Sequence, residues 1–191
     1  MPWLSIQDRR RRLWLQGILV GLALLVVMAL GARAQSPGVA AVVDRALSGQ
    51  SVELLYPLKT PAEVNILRLA GITAPDLDQV PWGPAARDCL NQQVREQTAR
   101  IEAIDTNVDD YGRLWAYVWL GDRLVNQPLL AEGCVYIDED ALVHHSQRQD
   151  WIHAQERARL LGLGIWNPDQ PLRQSPTAFR EAQTTPSSTE P

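Results

Sequence analysis

Cysteine and histidine, the residue types most able to bind metals or carry redox chemistry, are few in this sequence. There are two cysteines, Cys89 and Cys134, and three histidines in 191 residues. A zinc ion needs three or four such ligands at short spacings, and a thiol redox centre typically has a Cys-x-x-Cys pair. Neither pattern occurs, so the sequence argues against both zinc chemistry and dithiol redox chemistry.

Charge is distributed unevenly along the chain. Five of the 18 lysines and arginines, but only one of the 22 acids, precede residue 35. Residues 35–191 therefore carry 13 bases and 21 acids, a formal charge of −8. Because phosphate neutralisation supplies most of the affinity of nonspecific nucleic-acid binding, this part of the chain should bind nucleic acid weakly, if at all, by charge alone.

The N-terminal 34 residues are predicted to be a signal peptide or a membrane anchor. Arg9–Arg12 precede Leu13–Ala32, which has no acid or base, and Ala32-Arg33-Ala34 follows. This order is typical of a signal peptide cleaved after Ala34, whereas the length of the apolar run suits a membrane-spanning helix at residues 13–32. The arginines hold their end in the cytoplasm, so both interpretations predict an exported domain, either secreted or periplasmic, or anchored by a single span.

Export would allow Cys89 and Cys134 to form a disulfide, since such bonds persist in oxidising compartments. The alternative is a pair of buried free thiols, which behave as small hydrophobic residues. Sequence does not give the distance between the two Cα atoms, so both alternatives stay open.

Composition divides the exported part into three segments. Residues 35–40 are predicted to be a linker, and residues 168–191, rich in Pro, Ser, Thr and Gln, are predicted to be a disordered tail. The folded domain should therefore span residues 41–167.

Alternating apolar residues predict four strands within this domain. Val52–Tyr56 and Val64–Ala70 should form a hairpin, and further strands are expected at Arg100–Asp105 and Arg113–Leu120. In the last of these, small aliphatic residues alternate with aromatic ones. The aromatic face should be covered by a helix or form a contact surface.

Three helices are predicted among and after these strands. One has Pro84 at its first helical position, one is capped by Asn126, and one is capped by Ser146. Because the strands come early and no strand–helix–strand alternation occurs, the elements predict a small antiparallel barrel or sheet packed against about three helices.

Three motifs in a fixed order carry a resemblance to a known family. Arg68–Asp76 reads Arg-Leu-Ala-Gly-Ile-Thr-Ala-Pro-Asp, Asp110–Arg113 reads Asp-Tyr-Gly-Arg, and Ala158–Trp166 ends in Ile-Trp. Together they resemble the staphylococcal nuclease (thermonuclease-like) family over Val42–Trp166. The resemblance implies an OB-type five-stranded barrel with three helices, and active members cleave DNA or RNA phosphodiesters with one Ca²⁺.

The resemblance implies roles for three residues. Arg68 and Arg113 match the family's two arginines, which suit bidentate contacts with phosphate, and Tyr111 matches an aromatic residue that stacks on a nucleic-acid base. Alternatives remain open for each. Arg68 could pair with Asp76 or Glu53, Arg113 could be an ordinary surface arginine, and Tyr111 could rest on the barrel.

Three other positions depart from the family pattern. Gln50 and Thr73 stand where active members have metal-binding aspartates, and Asp76 stands where they have the glutamate that positions or deprotonates water. Ca²⁺ depends on carboxylate charge, and a general base must reach its proton, so both functions are weakened. A Ca²⁺ ion is therefore expected only if the domain is an active nuclease.

Two hypotheses of function follow. The substitutions and the negative charge favour an exported, catalytically impaired binding or assembly module, which could bind a protein partner that the sequence does not identify. The family resemblance favours a secreted or membrane-anchored nuclease that hydrolyses DNA or RNA.

Overall fold

A computed structural model describes residues 38–59, 63–138 and 147–184. The predicted signal peptide or anchor, residues 1–34, lies outside the described residues. The strands are β1 Val39–Ser48, β2 Ser51–Lys59, β3 Glu63–Leu69, β4 Ile72–Thr73, β5 Thr98–Val108, β6 Leu114–Leu120, β7 Arg123–Leu124 and β8 Tyr136–Ile137. The α-helices are α1 Trp82–Val94, α2 Asn126–Ala131, α3 Arg148–Leu160 and α4 Pro176–Thr184.

Five strands close into a barrel. The hydrogen-bonded order is β3-β2-β1-β5-β6, and β3 also pairs with β6, which joins the two ends of the sheet. Four of these pairings are antiparallel, and the closing β3–β6 pairing is parallel. The predicted five-stranded barrel is confirmed.

Strand β6 shows how the sequence directs side chains into the core. Leu114, Ala116 and Val118 are buried, while the aromatic residues between them are half-buried on the other face. Successive side chains of a strand point to opposite faces, so the alternation read from the sequence specifies which face is the core.

The outer face of β6 is covered by other side chains. Tyr117 packs edge-on against the fully buried Trp151 of α3, with ring centroids 6.3 Å apart. The guanidinium of Arg100 lies 4.7 Å from the centre of the Trp119 ring. Helix α3 and the neighbouring strand therefore provide the cover that the aromatic pattern predicted.

The cap predicted at Asn126 is wrong. Val125 holds the N-cap position of α2 and no side chain caps it; the Asn126 side chain is instead fully buried and donates a hydrogen bond from Nδ2 to the backbone oxygen of Ala70 at 2.7 Å. A buried polar side chain needs such a partner, and here the partner is a loop distant in sequence. Pro84 is the third residue of α1 and not the first helical position that was predicted, because the helix begins at Trp82. The first turn tolerates proline there, since its N–H groups have no partner within the helix. Ser146 lies outside the described residues.

The predicted boundaries of the folded domain are also corrected. Strand β1 begins at Val39, inside the expected linker, and α4 forms within the expected disordered tail. The Ser175 hydroxyl accepts a hydrogen bond from the backbone N–H of Ala178, and Pro176 opens the helix and is buried. Serine at a cap followed by proline at the first helical position is a favourable helix start, which the polar composition obscured.

Cys89 and Cys134 form a disulfide, with their Cα atoms 6.5 Å apart. Cys89 belongs to α1, and Cys134 follows α2, so the bond ties two helices on the barrel together. The free-thiol alternative is therefore set aside.

No helix within the described ranges combines the length and the apolar character needed to cross a bilayer.

We expect the disulfide to contribute substantially to stability. The two cysteines are 45 residues apart, and cross-linking a loop of that size removes chain entropy from the unfolded state. Replacing both cysteines by alanine should lower the free energy of unfolding in urea by about 4 kcal/mol. An oxidised and a reductant-treated wild type provide the matched comparison, and equal urea midpoints for the two would contradict the prediction.

Candidate anion-binding site

A pocket of about 520 Å³ collects side chains from five parts of the chain: the β1–β2 turn, β3, the segment after β4, the β5–β6 region and α4. It is lined by Ser48, Gln50, Arg68, Pro75, Asp76, Leu77, Tyr111, Arg113, Trp115 and Arg180. Five of the residues singled out in the sequence therefore meet here: Gln50, Arg68, Asp76, Tyr111 and Arg113. Thr73, the sixth, contacts the pocket through Arg180.

Arg68 is held in the strand that closes the barrel. It pairs with Ser51 across the β2–β3 ladder and with Trp115 across the β3–β6 ladder. Leu67 and Leu69 on either side point into the core, so the Arg68 side chain points out of it. Its guanidinium carbon lies 4.9 Å from the centre of the Trp115 ring, a cation–π contact.

The charge of Arg68 is buried and lacks a carboxylate partner among the described residues. The side chain is only 7% exposed, and its Nε has no hydrogen-bond partner. Of the two acids considered from sequence, Glu53 pairs with Arg45 at 2.6 Å, and Asp76 is not in ion-pair range of Arg68. The alternative in which Arg68 is neutralised by either acid is therefore wrong.

Burial lowers the pKa of Arg68 from its ordinary value to about 10, and the like charges of Arg113 and Arg180 act in the same direction. The carboxylates of Asp138 and Asp109 oppose this shift. Arg68 thus remains a cation at neutral pH, in surroundings that disfavour the cation.

Arg113 is oriented by one carboxylate. Its Nε and Nη2 lie 2.8 Å and 2.7 Å from Oδ2 of Asp109, while Oδ1 accepts backbone N–H groups of Tyr111 and Arg113 at 3.0 Å. Gly112 has a φ of +73°, which lets the turn close tightly around the carboxylate. Arg113 is therefore a positioned side chain and not a loose surface arginine.

Asp109 was not singled out from sequence. Burial opposes its ionisation, but the hydrogen bonds from Arg113 and Tyr111 outweigh that effect and lower its pKa. Its position two residues before the Tyr-Gly-Arg motif is the signal that could have found it, since Asp commonly binds the backbone N–H two residues ahead in a turn.

Tyr111 stands at the rim of the pocket and is 79% exposed. The guanidinium of Arg113 lies 4.8 Å from its ring centre. Most of the Tyr111 residue surface is therefore accessible to solvent.

Arg180 is the pocket residue that sequence reasoning missed. It projects from α4, and its Nη2 donates a hydrogen bond to the Thr73 hydroxyl at 3.1 Å. The segment was expected to be disordered, so no contact could be assigned to it. The Ser-Pro helix start at residues 175–176 was the available signal.

Gln50 and Thr73 are both engaged by groups of the protein. The Gln50 side-chain oxygen accepts a hydrogen bond from the backbone N–H of Ala74 at 2.6 Å, and its backbone oxygen accepts one from Leu69 at 2.8 Å. Gly49 packs so closely that an added Cβ would lie 2.6 Å from Ala86. The turn is therefore fixed against α1, the end of β3 and the residue after β4.

Asp76 is the acid that lines the pocket. Its Oδ1 accepts the backbone N–H of Asp78 at 3.2 Å, while its own N–H donates to the Gln79 side chain at 2.9 Å. The Asp76 carboxylate therefore accepts a hydrogen bond within a turn that lines the pocket.

The matching family model is described as staphylococcal nuclease homologue, and it covers residues 66–168. The match includes Arg68, Thr73, Asp76 and Arg113. It excludes Gln50 and Arg180, so the helix that delivers Arg180 lies beyond the matched region.

Curated relatives agree with this assignment. The chain is 29% identical over 106 residues to a thermonuclease of Staphylococcus hyicus, covering 53% of this chain and 62% of the relative. It is 36% identical over 72 residues to a thermonuclease of Staphylococcus intermedius, covering 35% and 43%. An uncharacterized endonuclease of Haemophilus influenzae is 27% identical over 109 residues, covering 57% of each.

The chain thus spans between about two fifths and three fifths of the length of these relatives. With a closed five-stranded barrel, the family's motifs in order and a family match over more than half its residues, the chain belongs to the staphylococcal nuclease homologue family, as a divergent member.

Proposed function

We propose that this domain is a binding module that holds a phosphate group in its arginine pocket and is impaired as a Ca²⁺-dependent nuclease. The observation that carries the proposal is that protein groups engage the side chains at both positions matched to metal-binding aspartates. Gln50 is turned onto a backbone N–H, and Thr73 receives the guanidinium of Arg180.

The residues present do not fit Ca²⁺. This ion takes six to eight oxygen ligands, several of them charged. The acid that lines the pocket is Asp76, whereas three arginines line it. A divalent cation placed beside Thr73 would also face Arg180, and like charges at such distances repel strongly in a partly buried site.

Phosphate fits the same groups well. Arg68 presents a buried cation with no carboxylate partner among the described residues, and Arg113 is held by Asp109 in a fixed orientation. Guanidinium groups bind phosphate through two parallel N–H donors, and a bound anion would offset the cost of burying Arg68. The negative charge of the rest of the domain limits nonspecific binding but not one local site.

The position of Tyr111 favours a phosphate that is attached to a base. An exposed aromatic ring at the rim of a phosphate pocket can stack on a base, which contributes about 1–3 kcal/mol per base in single-stranded complexes. A nucleotide or a nucleic-acid end would place its phosphate among the arginines and its base against Tyr111.

The alternative is an active nuclease. It is supported by family membership, by relatives named thermonuclease and endonuclease, and by retention of both arginines. Under this alternative, Asp76 would serve as the base and substitute oxygens would hold the metal. We favour the binding module because Gln50 and Thr73 offer no charge to an ion.

We also propose that the domain is exported. The apolar run Leu13–Ala32 after four arginines supports it, and so does the Cys89–Cys134 bond, since disulfides persist mainly in oxidising compartments. Both a cleaved signal peptide and a retained membrane anchor at residues 1–34 are consistent with this proposal.

The first prediction concerns the metal. We expect the purified protein to bind no Ca²⁺ at millimolar concentration by calorimetry and to leave single-stranded DNA uncut, because the metal positions lack carboxylates. Ca²⁺-dependent cleavage that is lost in Arg113→Ala but kept in Arg123→Ala would overturn the binding-module proposal. Arg123 is the matched control because it is exposed on β7, away from the pocket.

The second prediction concerns the unpaired charge. Replacing Arg68 by Met should raise the free energy of unfolding by about 1–3 kcal/mol in phosphate-free buffer, because a buried cation is exchanged for an apolar side chain of similar length. Phosphate should stabilise the wild type against urea and not stabilise Arg68→Met, because only the wild type binds it. Arg123→Met is the control, with an expected change within about 0.5 kcal/mol. A destabilised Arg68→Met that still responds to phosphate would contradict the proposal.

The third prediction concerns location. A reporter that is active only after export, fused after residue 191, should be active, and deleting residues 1–34 should abolish the signal. A reporter active only in the cytoplasm provides the reciprocal control, and activity of that reporter with the full chain would refute export.

A further inference from the structure

We propose that Arg180, on a helix beyond the family-matched region, is a ligand-binding residue that makes the pocket a metal-free site for a terminal phosphate. The inference rests on the proposed function in taking the pocket as a phosphate site. It goes further in assigning a residue outside residues 66–168 and in specifying the charge of the ligand.

The contact with Thr73 places the guanidinium of Arg180 beside one of the two positions that were matched to metal-binding aspartates. Arg180 lines the same pocket as Arg68 and Arg113, and its charge acts on Arg68. Three guanidinium groups therefore converge from β3, the β5–β6 turn and α4. Convergence of like charges is unfavourable unless an anion lies among them.

The segment that carries Arg180 is attached to the barrel by specific contacts. The buried Gln79 side chain donates to the backbone oxygen of Gln174 at 2.9 Å, and the backbone N–H of Leu172 donates to Ile165 at 3.1 Å. Pro176 at the start of α4 is buried. These contacts hold the helix against the turn that carries Asp76, so Arg180 is supplied by a docked element.

The pattern of ion pairs indicates the charge of the ligand. Arg113 is matched by Asp109, whereas neither Arg68 nor Arg180 lies within 4.0 Å of a carboxylate among the described residues. Two unmatched guanidinium groups suit a dianion. A terminal phosphate carries close to two negative charges near neutral pH and offers three oxygens, while a phosphodiester within a strand carries one charge.

A guanidinium at this position also makes a metal unnecessary. The guanidinium supplies positive charge and N–H donors to the phosphate oxygens. A bound metal ion could not supply that charge here, because the pocket lacks the carboxylates needed to hold one. Ligand binding should therefore persist in a chelator.

The experiment compares phosphate affinity in wild type and four variants by calorimetry, with EDTA present. The probes are inorganic phosphate, a 5′-phosphorylated dinucleotide, and the same dinucleotide with a 5′-hydroxyl. The variants are Arg180→Gln, Arg180→Lys, Arg68→Met and Arg173→Gln, the last being an exposed arginine on the same segment, outside the pocket. Thermal unfolding of each variant without ligand checks its folding.

We expect wild type to bind both phosphorylated probes in EDTA and to prefer the 5′-phosphorylated dinucleotide over its 5′-hydroxyl form at least tenfold. Arg180→Gln should weaken binding about 10- to 100-fold, the usual effect of losing a hydrogen bond to a charged group, and Arg180→Lys should recover part of it. Arg173→Gln should change affinity less than twofold. Tighter binding of the dinucleotide than of inorganic phosphate would identify a nucleic-acid end as the source.

Equal losses in Arg180→Gln and Arg173→Gln would overturn the inference, since they would reflect net charge alone. Wild-type binding that is lost in Arg68→Met but unaffected in Arg180→Gln would overturn the role of Arg180 and leave the proposed function standing. Absence of phosphate binding in the wild type, with or without Ca²⁺, would overturn both.

Discussion

The parallel pairing of β3 with β6 is the constraint on which the site depends. It closes the barrel, and it sets Arg68 beside Trp115 in the ladder. The same closure brings the turn before β6, with Asp109 and Arg113, next to the strand that carries Arg68. Because the two strands are far apart in sequence, no local preference could assemble this arrangement. The arrangement of β3 beside β6 follows from burial of the aliphatic face of each strand inside the barrel.

Under the proposed function, burying Arg68 has a cost in stability that a bound anion would offset. Desolvation disfavours the cation of Arg68, and the neighbouring arginines disfavour it further. An apolar residue would suit the same space better in a protein that only had to fold. A buried, unmatched charge such as that of Arg68 is reasonable where the missing partner is a ligand. Arg113 differs, because Asp109 neutralises it within the chain and fixes the direction of its N–H donors.

Sequence predicted the parts of this protein that depend on local pattern. The alternation in β6 predicted which of its faces would line the core, and the order of strands and helices predicted an antiparallel barrel or sheet. The resemblance carried by the short motifs implied that Arg68, Asp76, Tyr111 and Arg113 would share a site. The sequence did not predict α4, because a short polar helix acquires its stability from contacts such as Gln79 with Gln174, which are 95 positions apart. The partner of Asn126 was missed for the same reason: a side chain able to cap a helix instead satisfies a loop carbonyl.

Gln79 connects the family-matched region to the segment that follows it. Its side chain, 7% exposed, binds the N–H of Asp76 with one atom and the carbonyl of Gln174 with another. A chain ended at residue 168 would keep every barrel strand but leave a buried amide without its acceptor, next to the turn that shapes the pocket. The contacts that support the turn beside the pocket therefore extend past residue 168, where the family match ends, into the segment that leads to α4.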